Sequence, residues 1–252
     1  MPRGFRTLFY KEILRFQKVV LQTVVAPAIT TLLYLLVFSH ALDQHVTVFG
    51  DITYTAFLVP GLVMMTMIQN AFSNSSSSLI QSKITGNIVF VLLTPLSYVE
   101  FYLAFMLASV ARGLVVGLAV YLCAAPFVPL PLHSAATVVA FALAGSAVLG
   151  TLGVIAGIWA EKFDQLAGFQ NFIILPLSFL SGVFYSIGSL PEFWQHISKL
   201  NPFFYMIDGF RYGFIGHSDI DPDVSLAVVT ATFLLLSSLT LMLLKRGYRL
   251  RN

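Results

Sequence analysis

Residues 135–160 read AATVVAFALAGSAVLGTLGVIAGIWA, 26 residues without one charged side chain. At 1.5 Å of rise per residue a helix of this length runs about 39 Å, more than the roughly 30 Å hydrocarbon core of a bilayer. In water such a helix would expose apolar surface on every side. In lipid it has only to satisfy its own backbone, which a helix does internally. The stretch therefore reads as a membrane span. Its small residues, Ser146-x-x-x-Gly150 and Gly153-x-x-x-Gly157, mark seams where a second helix can approach closely, within the chain or between two copies of it.

Working outward, stretches of the same kind recur at residues 19–39, 54–72, 101–125, 165–187 and 224–244, so six spans are expected. The 101–125 span carries Arg112 near its middle and a further seam, Gly113-x-x-x-Gly117. The composition agrees: 58% of the 252 residues are hydrophobic and 10% are charged, with a mean hydropathy of +0.86. A soluble domain carries about 25% charged residues, so this chain has too few to cover a wet surface. The fold class expected is an all-α membrane protein in one domain, without internal repeats. Residues 202–216 are also apolar but short, and they hold Asp208 and Arg211; they read as an interfacial or re-entrant segment.

The loops orient the spans, because cytoplasmic ends retain Lys and Arg. Arg3, Arg6, Lys11, Arg15 and Lys18 precede the first span, and Lys245, Arg246, Arg249 and Arg251 follow the last, so both termini are expected in the cytoplasm. Asp43 and Asp51 in one loop, and Asp219, Asp221 and Asp223 in another, mark outward loops; Lys83 and Lys162 fall in inward ones. The net charge of +3 comes from these ends and reads as topology and attraction to anionic lipid, not as a nucleic-acid footprint. Cys123, the sole cysteine, reads as a small buried residue, and no cleavable leader is apparent.

Residues 4–18, GFRTLFYKEILRFQK, place Phe5, Leu8, Phe9, Ile13 and Phe16 on one helical face and Lys11, Arg15 and Lys18 on another. This predicts an amphipathic helix in the cytoplasmic interface, either a fixed anchor or an elbow that moves. Glu12 lies within its apolar arc and needs a partner, Arg15 or a neighbouring helix. Residues 74–98, NSSSSLIQSKITGNIVFVLLTPLSY, form the largest inward connection. Its polar start is followed by a helical stretch with Leu79, Ile80, Ile84, Ile88 and Leu92, stopped by Pro95; it is either a plain interfacial hairpin or a surface offering Lys83, Gly86 and Asn87 to a cytosolic partner. Residues 189–218 are rich in aromatics, among them Trp194, Phe203, Phe204, Tyr205, Phe210, Tyr212 and Phe214, which fit an aromatic belt. Asp208 and Arg211, three apart, are placed to form an ion pair or to touch a substrate.

No catalytic grouping assembles. Arg112 is the one charge inside the expected spans, and His40, His45, His133, His196 and His217 are scattered through loops without the companions a metal site needs. There is no phosphate-cradling G-x-x-x-x-G-K-[ST] loop, and an ion-coupled carrier ordinarily keeps several acids in the membrane. Energy for transport is then expected from another polypeptide. A stand-alone secondary transporter or channel is the alternative, and an intramembrane lipid-modifying enzyme is disfavoured. Arg112 should face protein or water, because exposing it to lipid costs about 2.5–3.5 kcal/mol. A functional role and a buried contact with a carbonyl or tyrosine remain equally open.

Four stretches carry a family likeness: KEILRF at 11–16, VPGLVMM at 59–65, LLTPLS at 92–97, and LPLSFLSGVFYS at 175–186 leading into LPEFW and LNPFFYMIDGFRYG. With the six spans, the chain resembles the ABC-2 family of bacterial inner-membrane export permeases. The resemblance implies a homodimer joined to two copies of a separate ATP-binding-cassette ATPase. ATP and Mg would sit on that partner, and this chain would bind no cofactor or metal. It implies a coupling helix at about 78–95, with Lys83, Gly86, Asn87, Leu92 and Pro95 as contacts, and an elbow helix with Glu12 and Arg15. It also implies an outer gate with Phe184, Tyr185, Asp208 and Arg211. Lys83 is the only charge between Asn74 and Glu100, where many such permeases are strongly charged. Related permeases export drugs and other small molecules, lipids or polysaccharides.

Overall fold

The uncharged stretch at 135–160 folds as a single helix, as do four other long segments. The computed structural model describes residues 3–42, 47–50 and 52–249. Asp43, His45, Asp51 and Arg251 lie outside the described residues. The helices are α1 (Arg3–Gln17), α2 (Val20–Leu42), α3 (Tyr54–Ile84), α4 (Asn87–Leu92), α5 (Tyr98–Ala124), α6 (Ala135–Trp159), α7 (Phe163–Phe169), α8 (Leu175–Phe179), α9 (Glu192–Lys199), α10 (Pro202–Ile215) and α11 (Pro222–Lys245). Between α2 and α3, β1 (Thr47–Val48) and β2 (Ile52–Thr53) pair antiparallel, Val48 opposite Ile52. Val20–Phe38 of α2 and all of α3, α5, α6 and α11 are long and apolar enough to cross a membrane. The protein is mostly helical, with five such helices among the described residues.

α3 is the axis of the bundle. It packs against α2, α5, α6 and α10, and its most apolar window is 78% buried, against 22% for α2 and 11% for α11. The sequence seams explain the closeness. A Cβ at Gly153 would lie 2.4 Å from the Phe72 carbonyl oxygen, and one at Gly113 would lie 2.8 Å from Ser146 Oγ. These seams join α6 to α3 and α5 within one chain. Helix starts are set locally: Ser97 and Glu100 form a reciprocal capping box at α5, and Ser134 accepts the Thr137 amide at α6.

Three elements depart from the expected boundaries. First, the helix begun at Tyr54 runs to Ile84, through the serines expected to start a loop. Ser76 returns its hydroxyl to the Phe72 carbonyl, and Ser75 reaches Gly150 O on α6 at 2.7 Å. Hydroxyls satisfied by the helix or its neighbour no longer break it. Leu79 and Ile80 thus belong to α3, and only residues 87–92 make the separate helix α4. At about 46 Å, α3 is longer than the roughly 30 Å bilayer core.

Second, the 165–187 stretch is not one long helix. α7 passes through a π-helical turn at Gln170–Ile174 into α8, which ends at Phe179. Pro176 supplies no amide to the preceding turn, which widens around it. Third, α10 is packed among α3, α6 and α11. Phe203, Phe204, Phe210 and Phe214 are therefore buried core residues and not belt residues, while Trp194 on α9 stays half exposed.

Candidate functional site

A polar line runs down α3 at helical spacing: Thr66, Asn70, Asn74 and Ser77. Arg15 of α1 docks on its lower part, donating to Asn74 O at 2.6 Å, Asn74 Oδ1 at 3.1 Å and Ser77 Oγ at 3.2 Å. Glu12 is fully buried and holds Arg15 Nε at 3.4 Å and Lys11 Nζ at 3.2 Å, so it finds the partner its position on the apolar face demanded. Asn74 Nδ2 continues to Ser109 Oγ on α5 at 3.4 Å. One turn along the line, Arg112 of α5 donates to Asn70 Oδ1 at 3.2 Å, with the Phe16 ring 5.8 Å away. Arg112 is thus level with the end of α1 rather than deep in the bundle, because α5, like α3, extends past that level.

Above this cluster a groove of about 340 Å³ opens between α2, α3 and α8. Thr30, Thr31, Thr66, Gln69 and Asn70 give it polar walls; Pro27, Leu62, Met65, Leu175 and Phe179 give it apolar ones. At its far end Tyr34, Phe38, Phe179 and Phe184 form an aromatic box, with Phe184 5.6 Å from Tyr34 and 5.7 Å from Phe179. Tyr54 fixes this box by donating to Phe184 O at 2.9 Å, and Tyr185 donates to Phe179 O at 3.3 Å. Neither the groove nor Tyr34, Thr66 and Asn70 were singled out in the sequence. The four-residue spacing of Thr66, Asn70 and Asn74 was the available signal.

Behind the box, Arg211 is fully buried. It donates to Phe57 O at 3.2 Å, Gly182 O at 2.7 Å and Val183 O at 3.4 Å, and stands 3.7 Å from the Phe57 ring centroid. Asp208 instead accepts the amides of Asp219 at 3.0 Å and Ile220 at 3.1 Å. No ion pair within 4 Å joins Asp208 and Arg211, contrary to the expectation from their spacing. Backbone groups freed by the α8 break and the 217–221 turn claim both charges first. Asp219 then bonds Ser186 Oγ and the Ile187 amide, tying that turn to the segment after α8.

At the opposite end, Gly86 at φ +73° breaks the chain between α3 and α4. Gly86, Asn87, Leu92 and Pro95 are exposed, Ile88 anchors α4 inward, and Phe90 and Leu93 stand 71% and 75% exposed. Lys83 is turned away from this surface. It donates to Ile158 O at 2.8 Å and Ala160 O at 2.6 Å, closing the otherwise orphaned carbonyls of α6, where Arg249 also donates to Trp159 O. Among the described residues no group of three His, Cys, Asp or Glu side chains is placed to hold a metal.

The family model of the ABC-2 type transporter matches residues 3–215. This chain belongs to the ABC-2 type transporter family. As an ABC-2 type membrane transport permease it is 38% identical over 250 residues to the inner membrane transport permease YadH of Escherichia coli, covering 99% of this chain and 97% of that one. It is 26% identical over 216 residues to nodulation protein J of Rhizobium leguminosarum, covering 84% and 81%. A nodulation protein J of Neorhizobium galegae is likewise 26% identical, over 179 residues. The ABC-2 match ends at the C-terminus of α10, so it contains the groove, α4 and the Arg211 network but not α11.

Proposed function

We propose that this chain is the transmembrane subunit of an ATP-binding-cassette exporter in the bacterial inner membrane, driven by a separate ATPase that carries the ATP and Mg. In this reading the broken α7–α8 segment is the fifth of six crossings, both termini are cytoplasmic, and α9 and α10 lie at the outer side. α1 is the elbow. α4 docks the ATPase, and two copies of the chain face each other across the grooves. The exposed apolar faces of α2 (Leu21, Ile29, Leu33) and of the α7–α8 turn (Phe172, Ile173) suit that second copy.

The observation that carries this reading is the continuity of α3. One helix lines the groove with residues 62–70 and ends beside an exposed apolar pair, Phe90 and Leu93. A push on Phe90 and Leu93 reaches α3 across the Gly86 turn and the packing of α4 on α3, and α3 carries it to the groove. The test is co-purification of the full chain with the ATPase encoded beside it. Phe90→Asp and Leu93→Asp are expected to lose the ATPase while the chain still folds in the membrane, and bulky replacements of Gly86 and Asn87 to separate hydrolysis from transport. Transport by the reconstituted chain alone under an ion gradient would replace this reading with the secondary-transporter one.

A further inference from the structure

The two ends of the groove differ in chemistry. On α3 and α8 the walls towards the aromatic box are Leu62, Met65, Leu175 and Phe179 and those towards α1 are Thr66, Gln69 and Asn70, while α2 adds Pro27 and the hydroxyls of Thr30 and Thr31 along the side. At that polar end Thr66 Oγ1 donates to Leu62 O, and the Asn70 amide is engaged at both atoms, Oδ1 taking the Arg112 guanidinium and Nδ2 donating to Thr66 O. The buried polar atoms left without a partner there are Gln69 Nε2 and Arg112 Nε, both donors. No carboxylate lies within ion-pair distance of Arg112 among the described residues, since Glu12 is engaged by Arg15 and Lys11. The end thus carries surplus positive charge and surplus N–H groups, the complement of an anion.

Its depth is set by α3. Asn74, where α1 docks, lies 20 residues from Tyr54, about 30 Å along the helix and so one bilayer core away from its start. Asn70 is one turn nearer the middle. A molecule seated head-down at Asn70 with its chain rising past Leu62 has the orientation of a lipid in the cytoplasmic leaflet.

We propose that the Asn70 end of the groove binds the anionic head, phosphate or carboxylate, of an amphiphile drawn from the cytoplasmic leaflet, with the apolar chain along Leu62, Met65, Leu175 and Phe179. Gln69 Nε2 and the second N–H of Asn70 Nδ2 meet the head, and Arg112 supplies the charge behind Asn70. This rests on the permease reading of the groove and narrows its cargo: a neutral polysaccharide has no use for the uncompensated arginine.

The full chain in phosphatidylcholine nanodiscs is offered hexadecyl phosphate, palmitate or hexadecanol, and bound molecules are counted by native mass spectrometry. The wild type is expected to retain hexadecyl phosphate over hexadecanol by about tenfold or more, the size of one charge-assisted hydrogen bond away from bulk water. Arg112→Met is expected to abolish that preference. Gln69→Leu, which leaves every charge in place, is expected to weaken it severalfold, and Lys199→Gln on α9 to leave it intact. Palmitate held like the phosphate supports a general anion site; phosphate held alone supports a lipid-phosphate site. Equal retention of hexadecyl phosphate and hexadecanol by the wild type overturns the proposal, as does a preference that survives in both groove variants. Binding at equilibrium needs no ATPase. Anion preference without ATPase association would therefore sink the permease reading and keep the site; the converse result would do the opposite.

Discussion

Arg211 shows how a single charge is tolerated at full burial. Its guanidinium serves three carbonyls and lies on the Phe57 ring, so the charge is spread over groups that need a donor. Replacing it with methionine keeps volume but leaves the Gly182, Val183 and Phe57 carbonyls unserved. Arg211→Met is expected to cost about 3 kcal/mol or more, seen as a lowered unfolding temperature of the detergent-solubilised chain. Arg211→Lys should recover only part, because one ammonium cannot span the three. An unchanged melting profile in Arg211→Met would contradict this role. The sequence marked Arg211 and Asp208 as special but mispaired them. Spacing of three reports what a helix allows, while their actual partners come from residues 28 or more positions away or from the following turn. Glu12 and Arg15 were read correctly because that pair is local.

At the scale of the helix, the seams in α6 were the most informative part of the sequence. Glycine spacing located the face, and the structure supplies its occupant, the serine run of α3. Gly153→Leu would drive a branched side chain into the Phe72 carbonyl and Ser75. It is expected to separate α3 from α6 and sharply reduce folded protein by gel filtration. Gly168→Leu, where a Cβ meets nothing within 4 Å, should be tolerated. Equal yields from the two would refute the seam. The same serines misled the boundary of α3, since their polarity reads as loop until a neighbouring helix accepts their hydroxyls. The π-helical turn before Pro176 was similarly hidden. Hydropathy counts apolar residues and does not register a missing amide.

For the whole molecule, composition alone decided the solvent, and loop charge suggested the orientation. What hydropathy could not reveal was the groove, because it is assembled from α2, α3 and α8, which meet only on folding. Orientation can be read by labelling intact cells with a membrane-impermeant maleimide after Cys123→Ser. Lys199→Cys on α9 is expected to react and Arg6→Cys on α1 to stay unreactive until the membrane is permeabilised. The opposite pattern would invert the arrangement proposed above. Labelling at both sites would point to an odd number of crossings.

The short path from Phe163 to Phe179 also bears on how the chain is built. It spans 17 residues, about 25 Å, and the Val183 carbonyl that follows it is served by Arg211, 28 positions further on. While the ribosome is still making α9, this segment is both too brief for the bilayer core and open at its tip. Its lasting placement therefore waits on a residue not yet translated. Seating this segment is to that extent a tertiary step, completed by Arg211 and not by the segment's own hydropathy.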